Sequence, residues 1–191
     1  FISASAIGIY PDSLTNFYSE DVKQESTSFL GEVVSEWEKA ANQFTALGIK
    51  ISKVRIGLVL DGKEGALPQI VNPIKFGLGA VFGNGKQWQS WVHKTDVAGI
   101  FMYVLINKLE GVFNAAAPNP ITNKELTQQI AKVLKRPLFL PNIPKFAMKL
   151  ILGEMHILLF ESQRVNSKKI ENLGYQFKYY CIKPALENLL K

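Results

Sequence analysis

Three residues of this chain have the side-chain types of a hydrolase triad: Ser5, His93 and Asp96. In such a triad the histidine takes the proton of the serine hydroxyl, and the carboxylate holds the histidine in the correct tautomer. The serine of an α/β-hydrolase lies in a G-x-S-x-G turn, whereas residues 3–7 read SASAI, with no flanking glycine. The sequence therefore argues against a hydrolase. Asp96 is expected to be a first-turn helix residue that the helix dipole favours.

A glycine-rich segment between residues 62 and 85 raises the question of phosphate binding. GLGAVF at 77–82 departs from the dinucleotide fingerprint G-x-G-x-x-G, because Phe82 stands where the third glycine should be. GNGKQ at 83–87 departs from the P-loop, which needs Ser or Thr after its lysine. Two interpretations remain: the glycines permit turns and close packing, or they form a mobile lip over a ligand.

Aromatic and polar side chains crowd into residues 82–93, which include Phe82, Trp88 and Trp91. Such a cluster can be part of a core. It can also be a pocket wall that stacks on a ring or a sugar, with Gln87 and His93 as the polar groups that orient the ligand. The spacing alone does not separate the two interpretations.

The composition of the 191 residues, 47% hydrophobic and 20% charged, is that of an ordinary globular protein. One cysteine and two histidines exclude an internal disulfide and a dedicated zinc site. The net charge is +6, but the basic residues are scattered, so we expect a small-molecule ligand and no nucleic acid. We find neither a signal peptide nor a run near the roughly 20 apolar residues that span a membrane. We therefore expect a cytoplasmic protein without membrane attachment.

The apolar periodicity predicts strands that alternate with helices. Residues 2–7 and 49–60 are predicted strands, and a helix that Gly48 closes lies between them. This βαβ order indicates a parallel sheet. The sequence TNKE at 122–125 is a capping box that predicts a helix through Leu134. Further helices are predicted over 66–76, 96–108, 144–153 and 183–190, with Thr95 able to cap the second, and a strand over 111–117.

The first predicted helix carries an apolar stripe at helical spacing: Phe29, Val33, Trp37, Ala41 and Phe44. A stripe of this kind normally faces the core. We therefore expect Trp37 to be buried.

Several short motifs occur in an order that resembles one known superfamily. They are ISASA at 2–6 with YP at 10–11, FL at 29–30 with WE at 37–38, RIGLVL at 55–60, SWVH at 90–93 with DVA at 96–98, and FN at 113–114 with AP at 117–118 and TN at 122–123. The chain resembles the extended short-chain dehydrogenase/reductase superfamily, in its NAD-dependent epimerase/dehydratase group. Within that group it is similar to nucleoside-diphosphate-sugar epimerase-like or cell-division-inhibitor-like proteins. Residues 145–190, with GYQF at 174–177, resemble the subfamily's C-terminal domain of unknown function.

The resemblance implies an α/β fold: the C-terminal half of a doubly wound, Rossmann-like parallel sheet with a smaller, mostly helical substrate lobe. Residues 1–117 would belong to the sheet domain and residues 118–191 to the lobe, with the subfamily domain starting near residue 144. The superfamily's glycine-rich dinucleotide turn has no counterpart here, so about 100 residues would precede Phe1 in a complete member. The cofactor implied is NAD(P), with NADP expected rather than NAD, bound fully only with that first half. Self-association is left open.

The resemblance also implies roles for single residues. Ser5 aligns with the superfamily's catalytic serine, whose hydroxyl bonds a substrate oxygen near the nicotinamide. Arg55, Gly57 and Val59 would lie beside the cofactor at the end of a central strand. Three residues of the aromatic segment would line the substrate side: Gln87, Trp91 and His93.

The superfamily's catalytic Tyr-x-x-x-Lys pair should open the first helix, where this chain has Phe29 and Val33. A phenylalanine cannot transfer a proton, and a valine can neither lower the pKa of a phenol nor hold a ribose hydroxyl. Two functions therefore remain. One is an NAD(P)-dependent, epimerase-like oxidoreductase of unknown substrate, and the other is a non-catalytic NAD(P)-sensing or scaffolding protein on the same fold.

Overall fold

The computed structural model describes residues 1–152 and 160–191 of the chain. Its strands are β1 (Ile2–Ala6), β2 (Phe17–Tyr18), β3 (Ser52–Ile56), β4 (Leu58–Leu60), β5 (Trp88–Gln89), β6 (Trp91–His93), β7 (Gly111–Ala115), β8 (Ile121–Thr122) and β9 (Arg164–Val165). Its α-helices are α1 (Phe29–Asn42), α2 (Ala66–Lys75), α3 (Lys94–Ile106), α4 (Asn123–Leu134), α5 (Lys145–Leu152), α6 (Lys168–Asn172) and α7 (Ile182–Leu190). Two 3-10 helices cover Ile7–Ile9 and Gln43–Leu47.

A parallel sheet in the order β1–β3–β7 forms the centre of the fold and confirms the predicted α/β class. Helix α1 connects β1 to β3, and α3 lies on the connection to β7. Ser28 caps α1, because its Oγ accepts a hydrogen bond from the Gly31 amide. The carboxyl ends of β1 and β3 lie side by side, since Ala6 is in register with Ile56. This edge of the sheet is where α/β folds bind ligands.

The single strand predicted over residues 49–60 is two strands separated by Gly57. Strand β3 pairs in the central sheet, whereas β4 turns away and pairs with β6. A Cβ at residue 57 would collide with the carbonyl oxygen of Ser90. Glycine therefore permits the two backbones to approach and hydrogen-bond, from the Leu58 amide to the same Ser90 oxygen at 2.8 Å.

The prediction that Trp37 lies in the core is wrong. Phe29, Val33 and Trp37 are exposed by 76%, 47% and 46%. The buried face of α1 instead carries Gly31, Val34, Ser35, Glu38 and Ala41. Small side chains let this face pack closely, and its one charged residue is buried because it is paired with a cation. Of the predicted stripe, Ala41 alone lies on this buried face.

The second half of the chain packs around α4. The Thr122 hydroxyl accepts from the Glu125 amide and the Glu125 carboxylate accepts from the Thr122 amide, which confirms the predicted capping box. Apolar side chains of α2, α4 and α7 form one core cluster, with Leu67, Leu126 and Leu186 fully buried. No helix within residues 1–152 and 160–191 is long and apolar enough to cross a membrane.

Candidate functional site

A cavity of about 310 Å³ opens where β1 and β3 end and α1 begins. Its size is at the lower end of the range for small-molecule sites. One wall is apolar and comes from the sheet, α1 and α2: Ala6, Ile7, Gly8, Leu30, Val34, Ile56, Gly57, Leu58, Ala66 and Ile70. The other wall comes from the segments around β5, α4 and β9: Trp88, Gln89, Ser90, Asn123, Glu161 and Gln163.

The helix residues that face this cavity are Leu30 and Val34, four positions apart on one face of α1. The Tyr-x-x-x-Lys pair was expected at Phe29 and Val33, which point elsewhere and are exposed. The helix positions that line the cavity are therefore one residue further along the chain than Phe29 and Val33. The shift does not restore the chemistry, because leucine and valine also carry no exchangeable proton.

The same one-residue shift separates Ser5 from the cavity. Side chains of a strand alternate between the two faces of the sheet, and at the end of β1 the residue that lines the cavity is Ala6. The Ser5 side chain is buried and donates to Glu38 Oε1 at 2.7 Å. Ser5 therefore belongs to a different cluster.

That cluster centres on a buried ion pair between Glu38 and Arg55. Arg55 donates from Nε to Glu38 Oε1 at 2.7 Å and from Nη2 to Oε2 at 3.0 Å, and Lys53 Nζ lies 3.0 Å from Oε2. Burial alone would raise the pKa of Glu38, but the hydrogen bonds from Arg55 and Ser5 outweigh it and lower that pKa to about 2. Glu38 is therefore ionised at any physiological pH.

Arg55 also connects the ion pair to Tyr10. Its Nη1 donates to the Tyr10 hydroxyl at 3.0 Å, and that hydroxyl donates to Asn114 Oδ1 at 2.9 Å. Burial raises the pKa of Tyr10 despite the nearby guanidinium. Arg55 Nε, Nη1 and Nη2 thus each donate to a buried partner. Arg55 does not line the cavity described above; it lines a separate one, of about 320 Å³, together with Tyr10, Glu38 and Lys53. Val59, on β4, is not among the residues that line either cavity.

The three substrate-side candidates from the aromatic segment have internal partners. Trp91 is fully buried and its Nε1 donates to the Asn119 carbonyl at 3.0 Å. Gln87 Nε2 donates to the Phe82 carbonyl at 3.1 Å. The residues of this segment that line the cavity are instead Trp88, Gln89 and Ser90. Of the residues expected to contact cofactor or substrate, Gly57 alone lines this cavity, whereas Arg55 lines the separate one beside Glu38.

His93 caps α3, a role that the sequence assigned to Thr95. Its Nδ1 accepts from the Thr95 amide at 3.1 Å, its Nε2 lies 3.2 Å from Asn188 Oδ1, and its ring stacks on Tyr179 at 3.9 Å. Burial lowers the pKa of His93. The neutral imidazole is therefore part of the contact between α3 and the C-terminal segment.

Asp96 anchors the same segment. It is buried, and its carboxylate accepts from the amides of Lys178 at 2.7 Å and Tyr179 at 3.0 Å. Its position in the first turn of α3 agrees with the expectation, but its main contacts are these tertiary ones. Ser5, His93 and Asp96 therefore have separate partners and form no triad.

The pH dependence of stability tests the structural role of His93. Because the unfolded chain binds this proton more readily, the free energy of unfolding should decrease as the pH falls through 6.5. His93→Asn keeps a cap acceptor and should remove this part of the decrease. Urea unfolding of wild type and variant between pH 8 and pH 5 measures the difference. Equal slopes in the two proteins would contradict the assignment.

The second wall of the cavity is polar, and some of its side chains are hydrogen-bonded within the fold. Ser90 Oγ donates to the Gln163 carbonyl at 2.8 Å and accepts from the Val165 amide at 3.0 Å. Gln163 Nε2 donates to Glu161 Oε2 at 3.1 Å. Asn123 also lines the cavity, and its Oδ1 accepts from the Phe82 amide at 3.0 Å. The sequence marked Asn123 only as part of the capping box and of the TN motif at 122–123, and nothing in the spacing marked Gln89 or Glu161.

Comparisons with known proteins show which proteins this chain is similar to. The model of a domain of unknown function matches residues 143–189. The chain is 38% identical to the epimerase family protein YfhF of Bacillus subtilis and 37% identical to the epimerase family protein SA0724 of Staphylococcus aureus, over 99% of this chain in both cases. It spans 62% and 63% of those relatives, a little under two thirds of their length.

Solved structures share the same fold. The human epimerase family protein SDR39U1, crystallised with NADPH, is 31% identical with a TM-score of 0.89, over 98% of this chain and 64% of that one. A nucleoside-diphosphate sugar epimerase from Corynebacterium glutamicum is 29% identical with a TM-score of 0.80, over 99% of this chain and 37% of that one. The chain is therefore similar, over nearly its whole length, to epimerase family proteins and to solved structures of the NAD-dependent epimerase fold.

Proposed function

We propose that the protein to which this chain belongs is an NAD(P)-dependent, epimerase-like oxidoreductase that acts on a small molecule. The observation that carries the proposal is the position of the cavity at the carboxyl ends of β1 and β3, beside the first turn of α1. The NADPH bound to the human relative of the same fold supports it. NADP in preference to NAD is part of the proposal.

The residues of the apolar wall suit a nicotinamide ring. Leu30, Val34 and Ile56 offer aliphatic surface to a flat ring. At Gly8 no atom lies within 4 Å of the place that a Cβ would take, so the backbone there is open to the cavity. The nicotinamide would supply hydride transfer when bound. The chain's own task is to hold the ring against the aliphatic wall and to keep water out.

The proton that accompanies a hydride must be handled by another group than the usual phenol. Ala6, Leu30 and Val34 carry no exchangeable proton. Among the cavity-lining residues that the structure describes, Glu161 has the one ionisable side chain, and Gln163 Nε2 orients its carboxylate. We assign to Glu161 the transfer of the proton to or from the substrate oxygen.

The apolar wall also favours a second candidate function. A protein that binds NAD(P) as a sensor or scaffold needs the ring-binding surface but no proton donor. Ala6, Leu30 and Val34 meet that condition as they stand. Binding alone does not separate the two candidates, whereas substrate turnover does.

Titration of the full-length protein with NADPH, followed by nicotinamide fluorescence, tests the cofactor site. We expect micromolar or tighter binding, weaker binding of NADH, and a loss of at least tenfold in NADPH affinity for Leu30→Trp, which fills the cavity. Phe29→Trp changes the adjacent, exposed position and should leave the affinity unchanged. Absence of NADPH binding by wild type, or equal affinity of both variants, would contradict the proposal.

The second readout is oxidation of NADPH with a panel of carbonyl compounds. In the enzyme, Glu161→Gln should keep the NADPH affinity and lower turnover by about 100-fold, the scale of one general acid. Tight NADPH binding without turnover of any compound would favour the sensor or scaffold.

A further inference from the structure

The polar wall of the cavity holds a buried carboxamide that the fold does not use. Gln89 is 9% exposed, and its side chain makes no hydrogen bond to any residue that the structure describes. The amide atoms of Gln89 keep some contact with the cavity, so that water or a ligand can bond them there. An amide that faces an open cavity in this state is poised to bond a ligand.

Asn123 presents a second free group to the same cavity. It is 2% exposed, and its Oδ1 is held by the Phe82 amide. This bond fixes the orientation of the side chain, so that Nδ2, a donor, remains for a ligand. Strand β5 pairs with β8 with Gln89 opposite Ile121, and Asn123 directly follows β8. The two amides therefore come from neighbouring backbone segments of one wall.

The charges of the cavity argue against a phosphorylated ligand. The described residues that line it include no lysine, arginine or histidine, and the one ionisable side chain, Glu161, is acidic. Arg55 is committed to Glu38, and Arg164, which stacks on the rings of Phe17 and Trp88 with its Nε buried and without a hydrogen-bond partner, does not line the cavity. A diphosphate placed in this cavity would face a carboxylate and no cation, which is unfavourable at low dielectric.

We infer that Gln89 and Asn123 recognise the substrate of this site and that the substrate is a small, uncharged molecule with a carbonyl group, not a nucleoside-diphosphate sugar. The inference rests on the proposed function, because it takes the cavity as the substrate site. A carbonyl oxygen accepts from the amide donors, and the aliphatic wall covers the rest of the molecule.

The test uses full-length protein with and without NADPH, and two probes, cyclohexanone and UDP-glucose, each titrated by ligand-observed NMR. We expect saturable, millimolar binding of cyclohexanone and none of UDP-glucose. Gln89→Leu, of similar size, should weaken cyclohexanone binding at least tenfold. Its thermal midpoint should stay that of wild type, because the amide makes no hydrogen bond within the described fold; a structural amide would lower it.

Other results would overturn either the inference or the proposed function. Binding of UDP-glucose, failure of cyclohexanone to saturate below 50 mM, or full cyclohexanone affinity in Gln89→Leu overturns the inference. A lowered midpoint in Gln89→Leu also overturns it. If NADPH fails to bind, the proposed function fails, whereas the titrations without NADPH still decide whether the amides bind a neutral carbonyl compound.

Discussion

Arg55→Met is expected to destabilise the full-length protein by about 3–5 kcal/mol, the range measured when one partner of a buried ion pair is removed. Arg55 and Glu38 are both buried and joined by two hydrogen bonds of 2.7 and 3.0 Å. Because the pKa of Glu38 is about 2, its carboxylate starts out charged and would lose its main partner. Lys53, at 3.0 Å, would compensate in part and place the effect toward the lower end.

Urea unfolding measures this loss of stability, and two further variants serve as its controls. Lys39→Met removes an exposed partner of Glu36 on the same helix and should leave the urea midpoint close to that of wild type. The double variant Glu38→Met/Arg55→Met should be more stable than Arg55→Met, because no buried charge is left unpaired. A loss below 1 kcal/mol for Arg55→Met, or a double variant less stable than it, would contradict the network.

The parallel α/β fold was predictable because its signals are local and repeated. The strand predicted over 2–7, which the structure shows at Ile2–Ala6, and the capping box at 122–125 each depend on a few neighbouring residues. The site was less predictable because its geometry depends on which face of an element meets the cavity. Ser5 and Ala6 differ by one position along a strand, and Phe29 and Leu30 by about 100° around a helix. Both members of each pair fit the same short motif.

The buried ion pair explains why the face of α1 was mispredicted. A search for an apolar stripe passes over a helix face whose central residue is Glu38, although that carboxylate is buried by Arg55, Lys53 and Ser5. The partners lie on β1 and β3, far away in sequence. A charged residue whose partners are distant in sequence has no neighbours that predict its burial. The exposed stripe of Phe29, Val33 and Trp37, in contrast, wrongly predicts a buried face.

A substitution at Gly57, between β3 and β4, is also expected to have a large effect on stability. Gly57→Ala should destabilise the protein by about 3 kcal/mol, at the upper end of what overpacking a closely packed site costs. The new methyl group would collide with the Ser90 carbonyl, which is backbone and cannot rotate away. Separating the strands would also break the 2.8 Å bond from the Leu58 amide to that carbonyl. Because residue 57 lines the cavity, NADPH affinity should fall as well.

Gly8→Ala is the matched control for this prediction, since Gly8 lines the same cavity and a Cβ there would meet no atom within 4 Å. Its free energy of unfolding should stay within about 1 kcal/mol of wild type, the range of substitutions that create no clash. Urea unfolding of both variants distinguishes the effect of the collision from the effect of replacing any glycine by alanine. If Gly57→Ala unfolds at the urea concentration of wild type, β4 and β6 approach each other less closely than the structure describes. The polar side of the cavity, which includes Ser90, would then be wider.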